Sequence, residues 1–407
     1  VVSANEQQNA VSSKVDFLDE AFIRDPYPVY AEARKQDPVT RILLPNGEFA
    51  WVVTTFEDVT AVLTDARFAT SLSHEKALLE DVPPHKAIVY RNLSSVDPAD
   101  HRRLRRLVQK AFTPRMVEGL RGRIEDIASG LIDRIEEKGE MKLIDDFAFP
   151  LPINVICEML GVPSEDQNLF REWSDTIMEG VHHPELAEKS DQTLIDFVEY
   201  LERLVARKRS DLRDDLISEL IRVEDQGDTL TEQELYAMVF VLIVAGHETT
   251  VNLIGNGILA LLEHPDQKEL LQNNPELIRS AIEEILRYDG PVEVTNARWA
   301  TENLILQGKH IKKGDMVFTA LSSANRDQLL FPEPDRFDIT RDVNNHLAFG
   351  KGVHFCLGAP LARLEGEIAI SMLLRRLPNL RLKTDRGNMD WRRGMIIRGL
   401  KEIPLLF

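Results

Sequence analysis

Apolar residues recur every three to four positions from Asp97 to about Arg287, which is a helical period. TPRMVEGLRGRIEDIASGLIDRIEEKG reads as helix and ends at Gly139, and SDQTLIDFVEYLERLVARKRSDL reads the same way. TEQELYAMVFVLIVAGHETTVNLIGNGILALLEHP is apolar on several faces, as expected of a helix through the centre of a domain. Its most hydrophobic run, Tyr236 to Gly246, is broken by His247 and Glu248. That run falls short of the ~18 apolar residues that signal a membrane span. Period-two alternation marks the strands. PVTRILLPNGEFAWVVTT carries Asn46-Gly47 between two extended arms, a hairpin signal that puts a small sheet near 39–55. Residues 291–325 alternate with glycine punctuation and predict a second group of short strands. Helix resumes after Cys356 and stops near Pro378, and the tail from Leu380 reads as strand. No repeat, linker or composition shift divides the pattern. It predicts one domain over 1–407, mainly α with minor β.

Charge narrows the partners. The net charge is −18 and the pI about 5.1. An acidic chain of this kind argues against a nucleic-acid partner, because phosphate binding needs a basic surface. The amino-terminal stretch VVSANEQQNAVSSK is polar and has no apolar core of signal-peptide type. The expectation is a soluble, cytoplasmic protein with no membrane contact. The chain has two cysteines, Cys157 and Cys356, too few for a disulfide framework or a closed zinc or iron–sulfur site. Cys157 lies in the apolar stretch PLPINVICEMLGVP and reads as an inert buried thiol.

Cys356 is different. It sits in FGKGVHFCLG, among Gly350, Gly352 and Gly358, with Phe349 ahead of it and His354 beside it. The glycines permit positive φ and a close approach of the backbone to a bulky planar partner. The helix that begins after the cysteine favours a negative sulfur through its dipole. A turn with an incidental cysteine does not account for all of these features together. A second feature is AGHETT, residues 245–250, inside the apolar helix. Glu248 and Thr249 are costly to bury there unless paired or functional. An acid beside an alcohol can relay protons or position water, and Gly246 thins the helix. By itself this stretch reads more readily as a helix kink with a satisfied hydroxyl. In PELIRSAIEEILRYDGP, Glu284 borders an apolar stripe and shares a face with Arg287 at i+3, while Glu283 points away; by themselves Glu284 and Arg287 read as an ordinary surface ion pair, worth little. In DPADHRRLRRLVQKAF, His101 and Arg105 lie at the edge of an inward face, with Arg102 and Arg106 farther round. The inner pair suits an anion and the outer pair a partner protein, although a solvated basic face gives the same pattern.

Together these stretches resemble the cytochrome P450 family of haem-thiolate monooxygenases, over essentially the whole chain. FGKGVHFCLG matches the family's cysteine loop at every fixed position, AGHETT is similar to the central-helix oxygen-activation motif, and EILR matches Glu-x-x-Arg. FPEPDRFDITR resembles the later arginine region and makes Arg336 the expected third partner of Glu284 and Arg287. The resemblance implies a P450-type fold with haem b between the central long helix and the cysteine-loop helix. It makes Cys356 the thiolate ligand of iron, which favours O–O cleavage. Phe349 and Gly350 then flank the cofactor, and His101, Arg105, Arg298 and His354 bind its propionates. Glu248 and Thr249 manage water and protons. The implied reaction inserts one atom of O2 into a hydrophobic small molecule by hydroxylation or epoxidation. The implied substrates are polyketides, macrolides or steroid-like compounds, lined by Val241, Leu242, Ala245, Val292, Val294 and Ile397 within 72–92, 165–190, 238–249, 291–297 and 395–398. Electrons come from NAD(P)H through a ferredoxin or flavodoxin and its reductase. That partner docks on Arg102, Arg103, Arg106 and Lys351, with no fused reductase and a monomeric chain expected. A peroxygenase using H2O2, a non-catalytic haem protein and a non-haem helical binding protein are the alternatives. The Glu248-Thr249 pair favours O2 chemistry over the first of these.

Overall fold

The computed structural model describes residues 15–407 apart from 18, 45–46, 71–82, 97, 167, 171, 174–175, 177–186, 225–229 and 343. The helices that position the site are α1 (Phe56–Thr64), α2 (Pro98–Ala111), α3 (Glu232–Glu263), α4 (Ile278–Asp289) and α5 (Ala359–Arg376). The principal strands are β1 (Val39–Leu43), β2 (Phe49–Val53), β3 (Phe68–Ala69), β4 (Arg298–Ala300) and β5 (Met316–Thr319). The chain forms two compact units. One comprises Val1–Leu72, Asn252–Cys356 and Leu373–Phe407; the other comprises Ser73–Val251 and Leu357–Met372.

The first unit holds a five-stranded sheet in the order β1-β2-β5-β4-β3. The expected hairpin is present: β1 and β2 pair antiparallel, with Val39 opposite Val53 and Leu43 opposite Phe49. Gly47 takes φ +85 in the turn, while Asn46 lies outside the described residues. Alternation splits the side chains between two faces. Val39, Trp51, Val53 and Val317 pack on one face with Val59, Val62 and Leu63 of α1. Ile42, Ala50, Val52, Phe318 and Val294 pack on the other with Phe17, Phe22 and Tyr30. α1 starts where it does because the Thr55 hydroxyl accepts the Asp58 N–H at 3.2 Å.

The second unit is helical. α3 opens with a capping box: the Thr231 N–H donates to Glu234 at 2.8 Å and the Glu234 N–H to the Thr231 hydroxyl at 3.2 Å. The helix runs unbroken through His247 and Glu248 for 32 residues, as the sequence pattern indicated. It is long and apolar enough to cross a membrane, but 67% of its most apolar window is buried inside the protein itself. Cys157 has 0% exposure, and burial pushes its thiol up to about 12, which makes it inert as expected.

The stretch from Asn325 to His346 has little regular structure, and a buried ion pair on α4 organises it. Glu284 and Arg287 side chains are both 0% exposed and bond at 2.8 Å through both carboxylate oxygens. Arg287 also donates to the carbonyls of Asn325, Pro334 and Arg336. Glu284 accepts from the Asp338 N–H, Arg341 Nε and Asn344 Nδ2 at 2.9, 3.1 and 3.1 Å. The expectation for Arg336 is therefore corrected. Its side chain is 59% exposed and pairs with Glu333 and Asp338, and only its backbone carbonyl enters the network. Arg341 is the third charged partner, because its reach from five residues farther on brings the guanidinium to Glu284.

Removing one partner from a buried pair strands the other, at ~3–5 kcal/mol. Glu284→Ala is expected to unfold the segment and lower the denaturant midpoint by that order. Arg336→Ala is expected to shift it by less than ~1 kcal/mol, and Arg341→Ala to fall between them. Equal effects of the two arginine substitutions would contradict this assignment.

Candidate active site

In the first unit the cysteine loop is shaped by two glycines. Gly350 and Gly352 adopt φ +70 and +76. A Cβ on Gly352 would lie 3.0 Å from the Leu63 carbonyl oxygen at the end of α1, so this position needs glycine for space as well as for torsion. A Cβ on Gly350 would meet nothing within 4 Å. Gly358 is not left-handed; it lies just ahead of α5, and its carbonyl accepts the Ala362 N–H. The Gly350 N–H bonds the Leu347 carbonyl at 2.8 Å, and the Cys356 N–H bonds the Phe349 carbonyl at 2.9 Å. Cys356 and His354 are half-buried, in contrast to Cys157. Val353 and Phe355 turn outward, 56% and 42% exposed, which the sequence pattern did not single out.

Arg298 on β4 is 7% exposed. Among the described residues its one hydrogen bond is a 3.4 Å contact to the Phe68 carbonyl, and burial lowers its pKa. A buried guanidinium without a carboxylate calls for an anion. The first unit thus offers a half-buried thiol, a loop with open space beside Gly350, and a desolvated cation. That donor set fits a planar, anionic, largely apolar group such as haem.

In the second unit the AGHETT stretch makes successive bonds back along α3. His247 Nδ1 meets the Ile243 carbonyl at 2.8 Å, the Thr249 hydroxyl donates to the Ala245 carbonyl at 2.8 Å, and that of Thr250 to the Gly246 carbonyl at 3.1 Å. Such back-bonding loosens a helix locally. Ala245 is exposed in mid-helix, and Val241, Leu242, Val244 and Thr249 are half-buried, so one face of α3 is accessible here. Glu248 is 8% exposed. Gly246 is half-buried, and a Cβ built on it would lie 3.5 Å from Ile156, an ordinary contact distance. His101 on α2 is 2% exposed; burial, then the charges of Arg105 and Arg102, push it below the usual imidazole range.

Other expected residues fall differently. Val294 is completely buried and packs in the core on one face of the sheet. Ile397 bridges Val292 and lines a small cavity with Phe22, Glu293, Trp391 and Arg398. Val292 is half-buried against the other sheet face. Regions 72–92 and 165–190 lie in part outside the described residues. Arg103 is ion-paired to Glu234, whereas Arg102, Arg106 and Lys351 are exposed. Sequence reasoning missed Glu365 on α5. It is 1% exposed, and burial raises its carboxyl to about 8, a rise moderated by the Thr250 hydroxyl.

A family model described as Cytochrome P450 matches residues 29–391. Cytochrome P450 monooxygenase PikC of Streptomyces venezuelae is 43% identical over 391 residues, covering 95% of this chain and 92% of PikC. The 6-deoxyerythronolide B hydroxylase of Saccharopolyspora erythraea is 41% identical over 402 residues, covering 96% and 98%. The structure of PksS, from the bacillaene polyketide synthase of Bacillus subtilis, superposes with a TM-score of 0.89 at 41% identity, covering 96% of this chain and 99% of PksS.

Glu365 makes stability depend on pH. Its carboxyl ionises near 4.5 when unfolded but near 8 when folded, so the unfolded state loses its proton first. The contribution of this carboxyl to stability is fully present below about pH 4.5 and is lost as pH rises to about 8. Glu365→Gln is expected to abolish this loss, which amounts to at most roughly 5 kcal/mol. Denaturant midpoints at pH 5 and pH 8 measure it; parallel pH profiles for the two proteins would count against the buried-acid assignment.

Proposed function

The chain belongs to the cytochrome P450 family, whose members are monooxygenases that bind haem b through a cysteine, and on that footing we propose that it hydroxylates or epoxidises a polyketide- or macrolide-class substrate. The observation that carries this reading is Cys356, half-buried on a left-handed glycine loop just ahead of α5, where Cys157 is fully buried. Cys356 is the iron ligand in this reading, its anionic sulfur favoured by the α5 dipole. Phe349 packs beside the sulfur, and Gly350 leaves room for the macrocycle. Arg298, His101, Arg105 and His354 hold the propionates as cations or strong donors. Haem, once bound, supplies the oxidising chemistry that places one atom of O2 in a C–H or C=C bond. The balance is substrate, O2, NAD(P)H and a proton giving oxygenated substrate, water and NAD(P)+.

The chain's own task is to manage protons and shape. The Thr249 hydroxyl has spent its hydrogen on the Ala245 carbonyl. Its lone pairs remain to accept from a water molecule, and so to hold that water at a fixed place. Glu248, buried one residue earlier, feeds protons to that water. Val241, Leu242 and Ala245 on the accessible face of α3 provide an apolar wall. PksS, named for polyketide biosynthesis, and the 6-deoxyerythronolide B hydroxylase support the substrate class; a relative named vitamin D(3) 25-hydroxylase, 41% identical, keeps steroid-like compounds in view. Electrons reach the site from a ferredoxin or flavodoxin. Arg102, Arg106 and Lys351 serve as its charged contacts, without Arg103.

The reduced carbon-monoxide spectrum tests the ligand. Cys356→Ala is expected to lose the red-shifted thiolate band and Cys157→Ala to keep it; the reverse pattern would refute the assignment. Thr249→Ala tests the proton step. It is expected to bind haem and substrate and still oxidise NAD(P)H, but with roughly tenfold less product per NAD(P)H and more hydrogen peroxide. That is below the ~10²–10⁴ of a complete acid–base group. Wild-type coupling would leave Thr249 with a structural role only.

A further inference from the structure

Glu283 stands beside the buried Glu284 on α4, and the sequence pattern points it to solvent. The structure gives it a partner. Its Oε2 lies 3.1 Å from Nε2 of His346, whose side chain is only 3% exposed. The other ring nitrogen, Nδ1, accepts the Ala348 N–H at 3.1 Å. A nitrogen that accepts an N–H carries no proton of its own, so Nε2 holds the hydrogen and donates it to the carboxylate. Both ring nitrogens are committed, and the backbone bond and the carboxylate demand the same tautomer.

His346 opens the cysteine loop. The Leu347 N–H bonds Asn325 Oδ1 at 2.6 Å, and the Gly350 N–H bonds the Leu347 carbonyl. The His346 ring lies 6.0 Å from that of Phe349, whose carbonyl receives the Cys356 N–H. A continuous set of contacts therefore runs from the Glu283 carboxylate through an imidazole and an amide to the turn bearing the cysteine. Without the carboxylate, a hydrogen on Nδ1 becomes competitive, and it would face the Ala348 N–H donor to donor.

We infer that Glu283 is a positioning residue for the cysteine loop, fixing the His346 tautomer that anchors Ala348 and thereby the register of Phe349 and Cys356. This rests on Cys356 being the haem ligand. It acts as carboxylates act behind metal-bound histidines, but one step farther back, through the backbone of the ligand loop. Loss of such outer partners typically costs 10–100-fold in metal affinity or activity.

The test compares holoenzyme of wild type, Glu283→Ala and Glu283→Gln. Three quantities are read: thermal melting, hydrogen exchange across residues 346–356, and the rate at which the reduced carbon-monoxide complex loses its thiolate band. Glu283→Ala is expected to speed both loop exchange and band loss by about tenfold. Glu283→Gln is expected to restore both, since its amide oxygen still accepts from Nε2. Unchanged exchange and band lifetime in Glu283→Ala would overturn the inference. So would a Gln variant as impaired as Ala, or a lower melting temperature with no change confined to the loop. If wild type itself shows no thiolate band, the ligand reading fails instead, and the exchange data still decide the role of Glu283.

Discussion

The carboxylate of Glu284 receives hydrogen bonds from Arg287, Asp338, Arg341 and Asn344, with no exposure to water. A carboxylate offers about four lone-pair sites, so this one is saturated. Such saturation is what lets an ion pair survive burial, because a desolvated charge with a missing partner is costly. It also has a geometric result. An irregular segment of chain, which packing alone would leave with many arrangements, has one arrangement that satisfies the acid. The approach to the cysteine loop is thereby set before the loop begins.

The loop itself is then held from two directions. On one side its backbone is pinned by amide bonds to Asn325, His346 and Leu347. On the other, Gly352 brings it against the last turn of α1, which is seated on the sheet by Val59, Val62 and Leu63. The hydrophobic sheet core thus reaches the cysteine through a helix end, and the ion network reaches it through a strand of backbone. A sulfur placed by two independent supports has little freedom to move when its protonation changes.

The short-range parts of this design were legible in the sequence. The hairpin, the helical centre, the glycine loop around Cys356 and the i,i+3 pair on α4 each depend on spacings of a few residues. What was not legible depends on distant partners. Arg336 and Arg341 are equivalent by sequence distance from Glu284, and only the path of the chain decides between them. Glu283 reads as solvent-facing because its partner lies 63 residues away. Glu365 sits among apolar neighbours on α5, and nothing local signals that the Thr250 hydroxyl is beside it. Val294 alternates like a pocket residue, but the sheet face it joins is a core. Periodicity shows that a face is buried without showing what buries it.

Gly350 and Gly352 are unequal in how they constrain the divergence of this chain. Among protein atoms Gly350 is limited by torsion alone, which asparagine tolerates, and its only limit of space is the macrocycle proposed beside it. Gly352 meets two barriers of different origin, its φ and the Leu63 carbonyl, so relief of either one leaves the other in force. No single compensating change elsewhere opens that position. Variation in the loop is therefore channelled to Lys351, Val353 and Phe355, whose side chains point outward. Lineages of this protein are free to remodel the outer surface of the loop while its path past the sulfur stays frozen.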